Sequence, residues 1–213
     1  MILYWILLIL TAIIAYLFGS LDTMVLASNF VFRRNLRRLG NEATWFSNFR
    51  RLYGISGFVR ILLIELVKDI IPILIGGLLL SIKGHADVGR AFAGFCLVLG
   101  RLYPAIYTFR GGSAALAMVV AGCGANMSIG IAAAVVMVAV IVVTRYIPLG
   151  VFAAAAAVAA VSAVMLDVPI MLRLTLITAL LVLIKQIPAV IRVLRKAERK
   201  VSFAEDITYK LDK

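Results

Sequence analysis

The sequence predicts an all-α fold, a polytopic membrane bundle of about seven transmembrane helices of which one is short or re-entrant. Of its 213 residues, 64% are hydrophobic and only 15% are charged, and the mean hydropathy is +1.09. Soluble domains contain about 45–50% apolar residues. The composition therefore excludes an ordinary soluble domain and indicates an integral membrane protein.

Seven apolar segments follow one another between charged or Gly/Pro-containing breaks. A bilayer-spanning helix needs about 20 apolar residues. The fourth segment has only about ten, so we expect it to lie inside the bundle or to be re-entrant, where protein surrounds its ends. The predicted segments are Ile2 to Ser20, Phe58 to Ile82, Ala91 to Phe109, Ala114 to Cys123, Ile129 to Thr144, Leu149 to Leu166 and Ile170 to Ile187.

The two ends of the chain extend this prediction. The first segment lacks the basic n-region of a signal peptide and is long enough to span, so we expect a retained transmembrane helix. Residues 188–213 space Ile191, Leu194 and Val201 at helical intervals among basic residues, which predicts a cytoplasmic amphipathic tail. No repeat or linker divides the sequence, so residues 1–213 are expected to form a single transmembrane domain.

Charge predicts how the bundle is oriented. The formal net charge is +12, and alternate connections hold sixteen and three Lys or Arg residues. Because basic residues accumulate in cytoplasmic loops, the N-terminus is expected outside and the C-terminus in the cytoplasm. The positive charge flanks apolar runs, which favours anionic membrane lipids over nucleic acid as the partner.

Four ionisable residues within the predicted spans, Glu65, Lys68, Asp69 and Arg101, need an explanation, since buried charge is costly in a membrane. Glu65 and Lys68 are three residues apart on one helix face, which predicts a structural ion pair. Arg101 is about nine residues from either end of its span. Its partner is expected to be a carboxylate of Glu65 or Glu42, a carbonyl group or a bound anion.

Two basic segments contain the residue types that bind phosphate. The segment RRNLRRLGNEATWFSNFRRLYG contains six arginines, Arg51 among them, together with Ser47 and Asn48, and such groups hold phosphate through charge-assisted hydrogen bonds. Arg110, Gly111, Gly112 and Ser113 open a predicted helix and expose backbone N–H groups to an anion. The competing interpretation of the first segment is a positive-inside loop with ordinary helix caps, and that of the second is a common Gly-Gly turn.

No catalytic residue can be assigned from the sequence, and neither a cofactor nor a metal site is expected. His85 is the only histidine and lies in a predicted outer loop, so no Ser-His-Asp or Cys-His arrangement can form. Cys96 and Cys123 lie in apolar runs without metal-like spacing, which is typical of small buried side chains.

The order of these motifs resembles the bacterial acyl-phosphate-dependent glycerol-3-phosphate acyltransferases. The resemblance covers most of the chain and implies a seven-span membrane fold that makes lysophosphatidic acid. It is carried by Gly19–Ser20; Gly40, Ser47, Asn48, Arg51 and Gly54; Glu65, Lys68 and Pro72; Gly100, Tyr103, Pro104, Phe109, Arg110, Gly111 and Gly112; Thr144, Arg145, Tyr146, Leu149 and Gly150; and Arg192, Leu194 and Glu198.

Departures from the family pattern fall almost entirely on the groups that the family uses for chemistry. Glu42 and Trp45 replace glycines of the phosphate loop, and Arg101 replaces a histidine. Ser113 stands where the turn has a lysine, and Gln186 where the tail has a histidine. An anionic Glu42 would repel a phosphate dianion, and Ser113 brings no positive charge.

Three functional hypotheses follow from the resemblance and its departures. The first is an acyltransferase of the bacterial inner membrane that uses acyl phosphate and glycerol 3-phosphate, or an altered acceptor. It implies that Ser47, Asn48, Arg51, Arg101, Arg110, Gly111, Gly112 and Ser113 bind the phosphates. The second is a non-catalytic member that binds or moves an anionic lipid, or serves as a membrane subunit for a protein partner. The third is a small transporter with a polar pathway through Glu65, Lys68 and Arg101.

Overall fold

The structure is a computed structural model that describes residues 2–21, 23, 45–105 and 113–195, without the side chains of residues 45–56 and 58. These residues form seven α-helices and no β-strand. The helices are α1 (Ile2–Ser20), α2 (Trp45–Ser81), α3 (Ala86–Leu102), α4 (Ala115–Ala125), α5 (Met127–Thr144), α6 (Ile147–Met165) and α7 (Pro169–Leu194). The predicted all-α class is confirmed.

Four helices in the described part, α1, α5, α6 and α7, are long and apolar enough to cross a membrane. Large apolar side chains remain exposed on the outer faces of the bundle, among them Leu78, Val143 and Val164. A soluble protein would not leave so many such side chains in water, whereas acyl chains solvate them well. The structure is therefore that of a multi-pass membrane protein.

Helices α3 and α4 form the centre of the bundle. Helix α3 packs against α1, α2, α4 and α7, while α4 packs against α2, α3 and α5 and touches α6 and α7. The side chains of Leu97, Val98 and Met118 are almost fully buried there. Helix α4 has only 11 residues and lies inside the bundle, as the length of its apolar segment predicts, because neighbouring helices cover a segment too short to span lipid.

Two glycines bring α1 and α3 into direct backbone contact. A Cβ atom at Gly100 would lie 2.2 Å from the carbonyl oxygen of Tyr16, and one at Gly19 would lie 2.1 Å from that of Leu97. Either methyl group would force the helices apart. This contact places the carboxyl ends of α1 and α3 side by side, where Tyr16 Oη donates a hydrogen bond to the carbonyl of Tyr103 at 2.7 Å.

Helix α2 begins at Trp45, thirteen residues before the predicted start at Phe58. The segment predicted to be a phosphate-binding loop is therefore helical from Trp45 onward. The prediction used apolarity as the boundary of the helix, but arginine and leucine are good helix formers outside the membrane as well. A helix can thus continue beyond its apolar part for as long as its residues tolerate the backbone conformation.

Two other boundaries also differ from the prediction. Helix α3 ends at Leu102 rather than Phe109, because Pro104 has no N–H group and disfavours helical geometry at Tyr103, which adopts φ −133° and ψ 64°. Helix α7 continues through Pro188 to Leu194. Residues 188–194 of the predicted tail thus prolong the last spanning helix, and residues 196–213 lie outside the described part.

Candidate functional site

Four ionisable side chains meet between α2 and α3, and we call them the Glu65 cluster: Glu65, Lys68, Asp69 and Arg101. Glu65 Oε1 lies 3.0 Å from Lys68 Nζ and 2.9 Å from Arg101 Nη2. Lys68 Nζ also lies 3.4 Å from Asp69 Oδ1. Two cations and two carboxylates therefore balance one another formally, which is the arrangement in which charge is tolerated inside a membrane bundle.

Burial makes this balance important for the fold. Glu65 is 4% exposed and Asp69 is 1% exposed. Lys68 additionally donates a hydrogen bond from Nζ to the carbonyl of Leu21 at 2.8 Å, directly after α1 ends. The cluster thus joins α1, α2 and α3 at one level of the bundle, and removal of a single member would leave an uncompensated charge.

Arg101 connects the Glu65 cluster to the start of α4. Its Nε donates a hydrogen bond to the carbonyl of Ser113 at 3.4 Å, while its Nη2 contacts Glu65. Ser113 Oγ accepts a 3.4 Å hydrogen bond from the backbone N–H of Ala115, in the first turn of α4. Arg101 therefore holds in place the residue that directly follows Gly112, at a helix end whose backbone dipole favours anions.

Other predicted site residues are only partly described or lie outside the described part. Ser47, Asn48 and Arg51 occupy the first two turns of α2, and their side chains lie outside the described part. The described range stops at residue 105 and resumes at Ser113, so Arg110, Gly111 and Gly112 lie outside it, as does Glu42. The structure brings together Glu65, Lys68, Arg101 and Ser113 from the predicted set.

The same end of the bundle contains further polar contacts that the sequence did not predict. Lys185 Nζ lies 4.9 Å from the centre of the Tyr103 ring. Gln186 Nε2 donates a hydrogen bond to the carbonyl of Pro148 at 3.5 Å. These partners are separated by 82 and 38 residues, so no local pattern could have revealed them.

The opposite end of the bundle holds His85 and an ion pair. His85 is exposed and directly precedes α3, where its ring meets the ring of Tyr4 edge to face at 5.9 Å. Arg90 and Asp87 pair one turn further along α3. Tyr4 lies near the start of α1, so α1 and α3 run in the same direction. His85 is therefore remote from the Glu65 cluster.

Comparison with known proteins places the chain in a family. The family model described as glycerol-3-phosphate acyltransferase matches residues 9–196. A glycerol-3-phosphate acyltransferase of Thermoanaerobacter pseudethanolicus is 29% identical over 142 residues, which cover 67% of this chain and 69% of the relative. One from Coxiella burnetii is 32% identical over 138 residues, covering 65% and 69% of the two chains.

A solved structure shares the fold. The crystal structure of PlsY (YgiH), an integral membrane glycerol 3-phosphate acyltransferase in its glycerol 3-phosphate form, superposes with a TM-score of 0.76. The similarity covers 92% of this chain and 96% of that one at 20% identity, so it shows a shared fold. Since the family model spans nearly the whole helical bundle, the chain belongs to the glycerol-3-phosphate acyltransferase family.

Proposed function

We propose that the protein transfers an acyl group from an acyl phosphate to glycerol 3-phosphate and forms lysophosphatidic acid. The observation that carries this proposal is the contact of Arg101 with Ser113, in a chain of this family. It holds Ser113 in place at the start of α4, and Ser113 directly follows Arg110, Gly111 and Gly112 in the sequence, which offer a cation and backbone N–H groups to a phosphate. Both substrates carry phosphate groups, and this is the chemistry that such a site recognises.

The reaction needs little from the protein beyond binding and orientation. A hydroxyl oxygen of glycerol 3-phosphate attacks the acyl carbon, the bond from that carbon to the phosphate oxygen breaks, and the released phosphate takes up the hydroxyl proton. Two phosphate dianions must approach each other for this step. Cations that hold both phosphates reduce their repulsion and fix the attack geometry.

We assign the predicted phosphate ligands to different tasks. Arg110 and the Gly111–Gly112 backbone bind phosphate next to Ser113. Ser47, Asn48 and Arg51 lie 14 to 18 residues before Glu65 on α2, about 20 Å or more along the helix, so their role as phosphate ligands requires this end of α2 to approach Ser113. Arg101 already pairs with Glu65 at 2.9 Å, so much of its charge is compensated inside the protein. Its task in this proposal is to position Ser113 and the preceding turn, and Glu65 in turn positions Arg101.

The proposed orientation puts the site on the cytoplasmic side. The parallel course of α1 and α3 and the Lys185–Tyr103 contact support a common face for the carboxyl ends of α1, α3 and α7. The basic connections belong to this face, so the positive-inside rule supports a cytoplasmic C-terminus and an outer N-terminus. Alkylation of single introduced cysteines near Ile2 and Leu194 by a membrane-impermeant maleimide, in intact and permeabilised cells, tests this orientation.

An acyl-transfer assay tests the function directly. Purified full-length protein in non-ionic detergent is supplied with palmitoyl phosphate and labelled glycerol 3-phosphate, and lysophosphatidic acid and phosphate are quantified. We expect stoichiometric products, and we expect Arg51→Ala to abolish them. Arg173→Ala is the matched control, because Arg173 is exposed near the start of α7 at the opposite end of the bundle.

The same assay distinguishes the alternative function. Folded protein without turnover across a panel of acceptors would contradict the proposal and would leave a non-catalytic lipid-binding member or a membrane subunit. Mass spectrometry of lipids and proteins that co-purify in mild detergent would then identify the bound partner.

A further inference from the structure

Lys185 is a half-buried cation that the Glu65 cluster does not use. The other described cations that face the bundle pair with carboxylates: Lys68 with Glu65 and Asp69, Arg101 with Glu65, and Arg90 with Asp87. Lys185 Nζ instead lies over the ring of Tyr103, 4.9 Å from its centre. Among the described residues, no carboxylate lies within ion-pair distance of it.

Lys185 is held near the candidate site from both neighbouring helices. Tyr103 follows Arg101 by two residues, and its carbonyl accepts the hydrogen bond from Tyr16 that fixes the end of α3 against α1. The residue after Lys185, Gln186, contacts the carbonyl of Pro148 in the first turn of α6. These contacts hold this turn of α7 against the carboxyl end of α3 and the start of α6.

Among the described residues, the charge balance at this end of the bundle is therefore positive. Glu65 and Asp69 already compensate Lys68 and Arg101, and the turn that ends in Ser113 has no lysine. An aromatic face attracts a cation through its quadrupole but brings no negative charge. A partly desolvated ammonium group in this setting gains stability when an anion binds beside it.

We propose that Lys185 binds the phosphate group of a substrate, and that Tyr103 holds its ammonium group in position for this contact. The inference rests on the proposed function and deepens it, because it names a further cation for the phosphate group of a substrate. The ligand chemistry is a terminal phosphate dianion. Two sources carry it: soluble glycerol 3-phosphate, and a membrane-dissolved acyl phosphate.

Substitutions of Lys185 test the assignment through substrate affinity. Lys185→Gln removes the charge but keeps a polar side chain that is one bond shorter, and we expect the KM for one of the two substrates to rise about 10- to 100-fold, as for the loss of one charge-assisted contact. Lys185→Arg should restore most of the affinity. The substrate whose KM rises identifies the source of the phosphate.

Two further variants distinguish a specific loss of phosphate binding from a general loss of protein stability. Lys83→Gln is the matched control, because Lys83 is exposed between α2 and α3 at the other end of the bundle; we expect no change in either KM. Tyr103→Leu removes the ring but keeps the carbonyl that Tyr16 binds. It should raise the same KM as Lys185→Gln, by a smaller factor.

A direct measurement of ligand binding tests the assignment of Lys185 without relying on enzymatic turnover. Calorimetric titration of the full-length protein with glycerol 3-phosphate, and with hexadecyl phosphate in mixed micelles, measures the two phosphate sources separately. If the wild type binds one of them without acyl transfer and Lys185→Gln weakens that binding, the proposed function fails while the assignment of Lys185 stands. Equal affinities of Lys185→Gln and wild type, or no binding by the wild type, would overturn the assignment.

Discussion

Arg101 Nη2 lies 2.9 Å from Glu65 Oε1, and this contact joins α3 to α2 inside the bundle. Glu65 at the same time accepts a hydrogen bond from Lys68 at 3.0 Å. One carboxylate thus compensates two cations whose side chains are each 11% exposed. The stability of this part of the fold therefore depends more on Glu65 than on either of its partners.

Glu65→Gln should strongly destabilise the protein. The substitution keeps the shape of the side chain but leaves Lys68 and Arg101 with Asp69 as their one neighbouring carboxylate in the cluster. Removal of one member of a buried ion pair costs about 3–5 kcal/mol. Thermal unfolding in detergent should show a lowered Tm. Asp167→Asn, a carboxylate exposed between α6 and α7, is the control, and an equal Tm for Glu65→Gln and wild type would contradict the prediction.

Arg101→Leu should affect activity more than stability. Glu65 keeps Lys68 as a partner, so the loss in unfolding free energy should be smaller than for Glu65→Gln. The contact with Ser113 is lost, however, and the turn before α4 loses its support. We expect kcat/KM for acyl transfer to fall by about tenfold or more, the equivalent of one charge-assisted hydrogen bond. A larger loss in Tm than in Glu65→Gln would show that Arg101 acts mainly as a structural cation.

Gly100→Ala should separate α1 from α3. The added Cβ would meet the carbonyl oxygen of Tyr16 at 2.2 Å, and backbone atoms cannot move aside as a flexible side chain can. Overpacking costs about 1–3 kcal/mol, and we expect a lowered Tm together with reduced yield of folded protein. In the control Gly77→Ala, the new methyl group would meet the side chain of Arg90, which can rotate away, so a smaller change is expected.

Tyr16→Phe should weaken the site modestly. It removes the hydrogen bond to the carbonyl of Tyr103 while the ring remains, which corresponds to about 1 kcal/mol. Because Tyr103 supports Lys185, we expect the KM that Lys185→Gln raises to increase in this variant too, by a smaller factor. Steady-state kinetics with both substrates varied checks this, and an unchanged KM would show that Tyr16 does not contribute to substrate binding.

Apolarity and length determined the membrane-spanning part of this protein. The segment Ile2 to Ser20 matches α1 residue for residue, and the apolar segment of about ten residues at Ala114 is the short inner helix α4. Helix ends were less predictable where a helix continues beyond its apolar residues. Helix α2 extends into its arginine-rich flank to Trp45, because backbone hydrogen bonding continues wherever the residues permit it.

The sequence by itself determined the class of protein, the inner position of α4 and the family pattern, since these depend on local composition and spacing. Only the tertiary structure decided that Glu65 is the carboxylate that pairs with Arg101. It also decided that the Tyr103 ring contacts Lys185, which is 82 residues away in the sequence. The physical reason is that such contacts arise when helices distant in sequence pack together, here through the backbone contact of α1 with α3 at Gly100. Spacing along one helix holds no information about that packing.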